Sequence, residues 1–170
     1  MAVVAALAMP AAVMSQDVVN GQATATVQTP LTVTAPADLA FGTVFQGVAK
    51  AVANDAAEAG VFTISGQAGS GISVYLQLPD YMATATGDDR MVISFSATDI
   101  SIDSTANVDP TAFASGWQNT NPHNLPSGVI IGGASGQTSM FLGGSIYPSV
   151  DQTAGAYSAD VILTVAYNGS

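Results

Sequence analysis

The chain has 170 residues, 48% of them hydrophobic and 8% charged, with two basic side chains against twelve carboxylates and a net charge of −10. Lys50 and Arg90 cannot neutralise a run of phosphates, so neither nucleic acid nor an anionic membrane is expected as a partner. The absence of cysteine removes disulfides, thiolate metal sites and thiol nucleophiles together, and the length suits one domain whose surface is covered by uncharged polar residues.

Residues 2–14 (AVVAALAMPAAVM) are apolar, too few to span a bilayer, and of the length of a signal-peptide core. Val13 and Ser15 fit the small-residue positions before a cleavage at Gln16. No Lys or Arg precedes the run, so a retained segment that hides in a partner groove stays open as the alternative.

From Val19 to Ala35 the odd positions read Val, Gly, Ala, Ala, Val, Thr, Leu, Val, Ala, and the even positions are polar or proline. This period of two predicts a half-buried strand. Fully extended, the ribbon reaches about 55 Å at about 3.3 Å per residue, against about 17–20 Å for a typical strand. Either it bends near Pro30 and changes sheets, or its front half projects and pairs with a neighbouring subunit. Residues 1–28 therefore form an N-terminal extension, signal remnant or donor strand, and residues 29–170 a β-sandwich domain.

Further strands are predicted at 39–45, 61–65, 72–78, 91–96, 129–131, 139–142 and 157–167, separated by Gly, Pro, Asn and Asp clusters. Many short strands with turn signals indicate an all-β antiparallel sandwich. The last run alternates from Tyr157 to Tyr167, and its length predicts a central strand. Residues 49–59 read as a loop or single turn, and residues 98–137 as long polar loops too rich in Pro and Asn for continuous sheet.

ATATVQTPLTVTAPADLAFGTV (residues 23–44), with the later GAYSADVILTVAYN (155–168), resembles a family of exported bacterial proteins known only as a domain of unknown function, similar in turn to spore-coat and pilus-type subunits. A looser Gly-x-Phe-Thr-Ile pattern from Gly60 extends the likeness, and residues 98–137 lie outside it. The resemblance implies an immunoglobulin-like sandwich, export to the cell surface and no catalytic residues.

Sites of chemistry are few. The single histidine, His123, sits in a loop with no acid at useful spacing, so a nucleophile triad is not expected, and zinc would lack ligands. Asp99, Asp103 and Asp109, or the pair Asp88 and Asp89, offer oxygens to calcium, but neither stretch has the spacing of a calcium loop. They read as turn-forming aspartates, and no cofactor is expected.

Trp117 with Phe113 and Tyr147 is a candidate stacking platform for a ligand, against the simpler reading that Trp117 covers one end of the sandwich. Asn168-Gly169-Ser170 fits the N-glycosylation sequon. The expected function is that of a non-enzymatic, extracellular filament subunit. It would polymerise with copies of itself by donating Val19, Ala23, Ala25 and Val27 to a neighbour. A monomeric adhesin or glycan-binding module using the 98–137 loops is the alternative.

Overall fold

The computed structural model describes residues 17–169, and the 2–14 segment lies outside them. In chain order the strands are β1 (Thr32–Ala37), β2 (Lys50–Val52), β3 (Gly60–Ser65), β4 (Gly71–Gln77), β5 (Tyr81–Thr84), β6 (Arg90–Ser94) and β7 (Ile100–Asp103). They continue with β8 (Gly116–Thr120), β9 (Val129–Ile130), β10 (Gln137–Leu142), β11 (Gly144–Tyr147), β12 (Tyr157–Ser158) and β13 (Ile162–Tyr167). The architecture is the expected all-β antiparallel sandwich.

One face is the sheet β1-β3-β10-β7-β8, and the three-stranded sheet β13-β4-β9 lies opposite. A third sheet, β12-β5-β6-β11-β2, continues strands from both. Between β10 and β11 stands Gly143 alone, where an added Cβ would lie 2.5 Å from the Val52 carbonyl oxygen, so only glycine lets the strand turn from one sheet into the next.

Alternation places the core. In β4, Ile72 and Leu76 point inward while Ser73, Tyr75 and Gln77 face out, and in β6 Met91 and Ile93 are buried between exposed neighbours. They meet Ile64, Ile100, Ile102, Met140 and Leu142 from the opposite sheet. Each such side chain contributes about 1.5–3 kcal/mol by leaving water.

Several expectations are corrected. Residues 39–45 form no strand, because Gly42 and Gly47 take positive φ and bend the chain, although Phe41 is buried. Residues 50–52, read as loop, form β2.

The 98–137 stretch holds β7 and β8, and β7 is buried at all four positions between β10 and β8. Its polar residues are covered and bonded. Ser101 Oγ accepts from Asn119 N at 3.1 Å, and Asp103 accepts from Thr105 N at 2.9 Å and Ala114 N at 2.7 Å. Burial alone pushes the Asp103 carboxyl up, but bonds from Thr105, Ala114 and Asn107 hold it below the ordinary carboxylate value.

The predicted central strand at 157–167 is two elements, β12 and β13, and β13 is bonded to β4 alone. Asp160 at the break interrupts the run, and the apolar face of β13 is half-buried.

Two hydroxyls on paired residues of β3 and β10, Thr63 Oγ1 and Ser139 Oγ, are buried without a hydrogen-bond partner. Removing such a group removes its desolvation cost. Thr63→Val is therefore expected to leave the unfolding free energy unchanged or raise it, by up to about 1 kcal/mol; a clear loss in chemical denaturation would contradict this.

Candidate functional site

Residues 17–31 belong to no strand. Val19 is 91% and Val27 93% exposed, and Ala23 and Ala25 are exposed as well, so the half-buried strand expected over 19–35 is not buried within its own globule. Pairing begins at Thr32, opposite Ser65.

The root of this ribbon is clamped. The Tyr167 hydroxyl donates to the Thr29 carbonyl at 2.6 Å and accepts from Gln67 N at 2.7 Å. Thr29 Oγ1 donates to Gln67 Oε1 at 3.2 Å, and Leu31 packs against the core. Gly66 permits the approach, since a Cβ there would lie 2.5 Å from the Tyr167 hydroxyl. The ribbon therefore leaves the globule at the Tyr167 end of β13.

At the other end of β13 lies a groove of about 460 Å3. Its lining includes Ala35, Ala37 and Leu39, Tyr157 and Val161, Phe62 and Met82, and the carboxylates of Asp38 and Asp160. Its lining comes from β1, from β12 and from the 159–161 link that leads into β13 rather than from β13 itself, and β1 and β13 stand at the margins of their sheets without bonding to each other.

Outer strands present unpaired backbone groups, and folded proteins usually blunt them. β1 carries Pro36 and a register break between Thr34 and Ala37. β8 has Asn119 at φ 53 and a register break against β7. β2 has three residues including Lys50, and β9 and β12 have two each. By contrast, β13 is six residues long, ILTVAY, with neither proline nor charge, and pairs in unbroken register with β4 on one side only. Its Leu163, Val165 and Tyr167 face the core but stay half-buried.

Tyr157, on the groove wall, is fixed by a polar network. Asp89 Oδ2 accepts from the Tyr157 hydroxyl at 2.7 Å, from Thr153 N at 2.8 Å and from Gln152 Nε2 at 2.9 Å, while Oδ1 accepts from Arg90 N at 2.8 Å. The Tyr157 bond, followed by those from Thr153, holds the Asp89 carboxyl far below its usual range, and burial with the Asp89 contact pushes the Tyr157 hydroxyl up.

The remaining candidates are not brought together. Trp117 lies on β8, half-buried against the core; Phe113 follows the 3-10 turn Pro110–Ala112; and Tyr147 is on β11 in another sheet. The arrangement favours Trp117 as cover for the sandwich over a stacking platform. His123 Nε2 lies 3.2 Å from the Phe95 carbonyl oxygen. Asp99 accepts from Ser96, and Asp109 caps the 3-10 turn through Thr111. Among the described residues no three His, Cys, Asp or Glu side chains are placed to hold a metal ion, and no helix is long and apolar enough to cross a membrane.

Sequence reasoning missed β13 as an open strand, the Tyr167 clamp and the Asp89 network. The contrast between Pro36 in β1 and the uncharged, proline-free 161–167 was the available signal for the first. No family model, no curated protein and no solved structure matches the chain.

The Asp89 network supplies a pH test. Its folded pKa lies below the unfolded value of about 3.9, so its stabilisation is present above that pH and lost as pH falls through the folded value. Asp89→Asn is expected to lower Tm at neutral pH, with the gap to wild type narrowing progressively below about pH 4 in calorimetric scans. A gap that stays constant into strong acid would contradict the assignment.

Proposed function

We propose that this protein is a non-enzymatic structural subunit of an extracellular filament, in which the N-terminal ribbon of one copy adds as a strand along β13 of the next. The observation that carries this reading is the presence, on one chain, of an exposed period-two ribbon outside every sheet and a six-residue unblunted outer strand whose start adjoins a groove of mixed polar and apolar lining. A strand laid there would satisfy the outward backbone groups of β13. Its odd-numbered side chains, Val19, Ala23, Ala25 and Val27, would cover Leu163 and Val165, and alanines suit a shallow groove.

Burying the two valines alone is worth about 3–6 kcal/mol before the cost of ordering the ribbon is subtracted. The ribbon's root is at the Tyr167 end of β13 and the groove at the Val161 end, roughly 20 Å apart at about 3.3 Å per residue. Donor and acceptor are thus different surfaces of one chain, and such a head-to-tail contact need not close into a ring. The sparse charge and Thr- and Ser-rich surface accord with export, and the joint needs no cofactor.

Deleting residues 1–28 tests the reading. The truncated protein is expected to be monomeric by light scattering and to form no fibres in electron micrographs. A synthetic peptide of residues 17–30 is expected to bind it and protect the amides of residues 162–167 from hydrogen exchange. Fibres of unchanged length from the truncated chain would overturn the proposal.

A further inference from the structure

Two asparagines precede a glycine, Asn20 and Asn168. Asn168 continues directly from β13, and its backbone N–H donates to the Gly71 carbonyl at 3.2 Å. Asn20 and Gly21 are exposed and outside every strand, and a Cβ added to Gly21 would meet no atom within 4 Å. Elsewhere, Asn54 is buried with Nδ2 bonded to the Thr98 carbonyl and Asn119 Oδ1, and Asn107 Nδ2 is bonded to the Asp109 and Ala112 carbonyls.

We propose that Asn20 is a site of spontaneous deamidation to isoaspartate, and that this reaction retires the ribbon of any subunit left unassembled. The second half rests on the filament reading; the first half does not. In the reaction the deprotonated backbone nitrogen of Gly21 attacks Asn20 Cγ. A C–N bond forms, the Cγ–Nδ2 bond breaks, and ammonia leaves, giving a cyclic imide. Water then adds to either imide carbonyl and opens the ring to isoaspartate or aspartate, with no change of oxidation state. Glycine favours the attack twice over, because it has no Cβ to crowd the ring and because its backbone turns freely.

The product matters because of where it stands. Isoaspartate routes the main chain through one additional carbon, so Val19 falls out of step with Ala23, Ala25 and Val27 and no longer shares their face. It also places a new carboxylate in a ribbon meant to lie over apolar side chains. Within a sheet the ladder fixes the backbone of residues 20 and 21, which opposes ring closure, so assembled copies are protected.

The test uses the full chain held at mildly alkaline pH and sampled over time, with peptide mapping by mass spectrometry and an isoaspartate-specific assay. Conversion at Asn20 is expected to run several-fold faster than at Asn168 and to vanish in Asn20→Gln, where ring closure needs a less favourable six-membered imide. Asn20 remaining unconverted over the period in which Asn168 forms isoaspartate would overturn the modification site. For the regulatory half, aged wild-type monomer is expected to lose fibre formation while aged Asn20→Gln retains it. Undiminished assembly of the converted monomer would overturn that half and leave the site standing. Failure of the filament reading itself is read separately, from the truncation of residues 1–28.

Discussion

Backbone N–H and C=O groups on β13 find partners along β4 and nowhere else among the described residues, and this one-sided pairing is the constraint around which the molecule is arranged. Three other ways of ending a sheet occur in the same chain. Proline stops β1, a left-handed asparagine distorts β8, and extreme shortness limits β2, β9 and β12. β13 has none of these protections and carries aliphatic and aromatic side chains on the face turned inward. The ribbon at residues 17–31 has the complementary property, an alternating pattern with no sheet to join.

The groove can remain open because the fold is secured elsewhere. The strand running through β10, Gly143 and β11 belongs to two sheets in succession, and β5, whose Met82 lines the groove, is held on both sides by β6 and β12. The Asp89 network then fixes the groove wall by tying Tyr157 to the chain at 89–90 and 152–153. Hydrogen bonds rather than ion pairs do this work, as expected of a chain with two cations. A polar residue buried in such a structure is tolerated where its loop supplies donors, as residues 105–114 do for Asp103.

Strands β3, β4, β6 and β10 were legible because apolar and polar residues alternate, or run together between turn signals, and burial follows that pattern. β7 was not, because Ile100-Ser101-Ile102-Asp103 has the look of a strand with a wet face, and its second face is covered by loops whose closure no local pattern announces. Residues 157–167 misled in the opposite direction. Their alternation is real, but whether a strand lies at the centre of a sheet or at its margin depends on partners far away in sequence. For the candidate site, the ribbon was readable from its period and length. The groove at the other end of β13 draws on residues from 35 to 161 and could not be read from any one stretch.

The position of the Tyr167 clamp has a mechanical consequence. In a chain of copies joined as proposed, tension would enter each globule at Thr29, beside the last residue of β13, and would leave through a neighbour's strand lying along that same β13. With the donated strand antiparallel to β13, its root leaves from the Ile162 end, so the pull would run lengthwise and every rung of the joint would be sheared together rather than peeled open one at a time. Rupture of that kind demands simultaneous failure of many weak bonds, which would let a joint of modest equilibrium strength resist sudden force far better than its affinity alone would suggest.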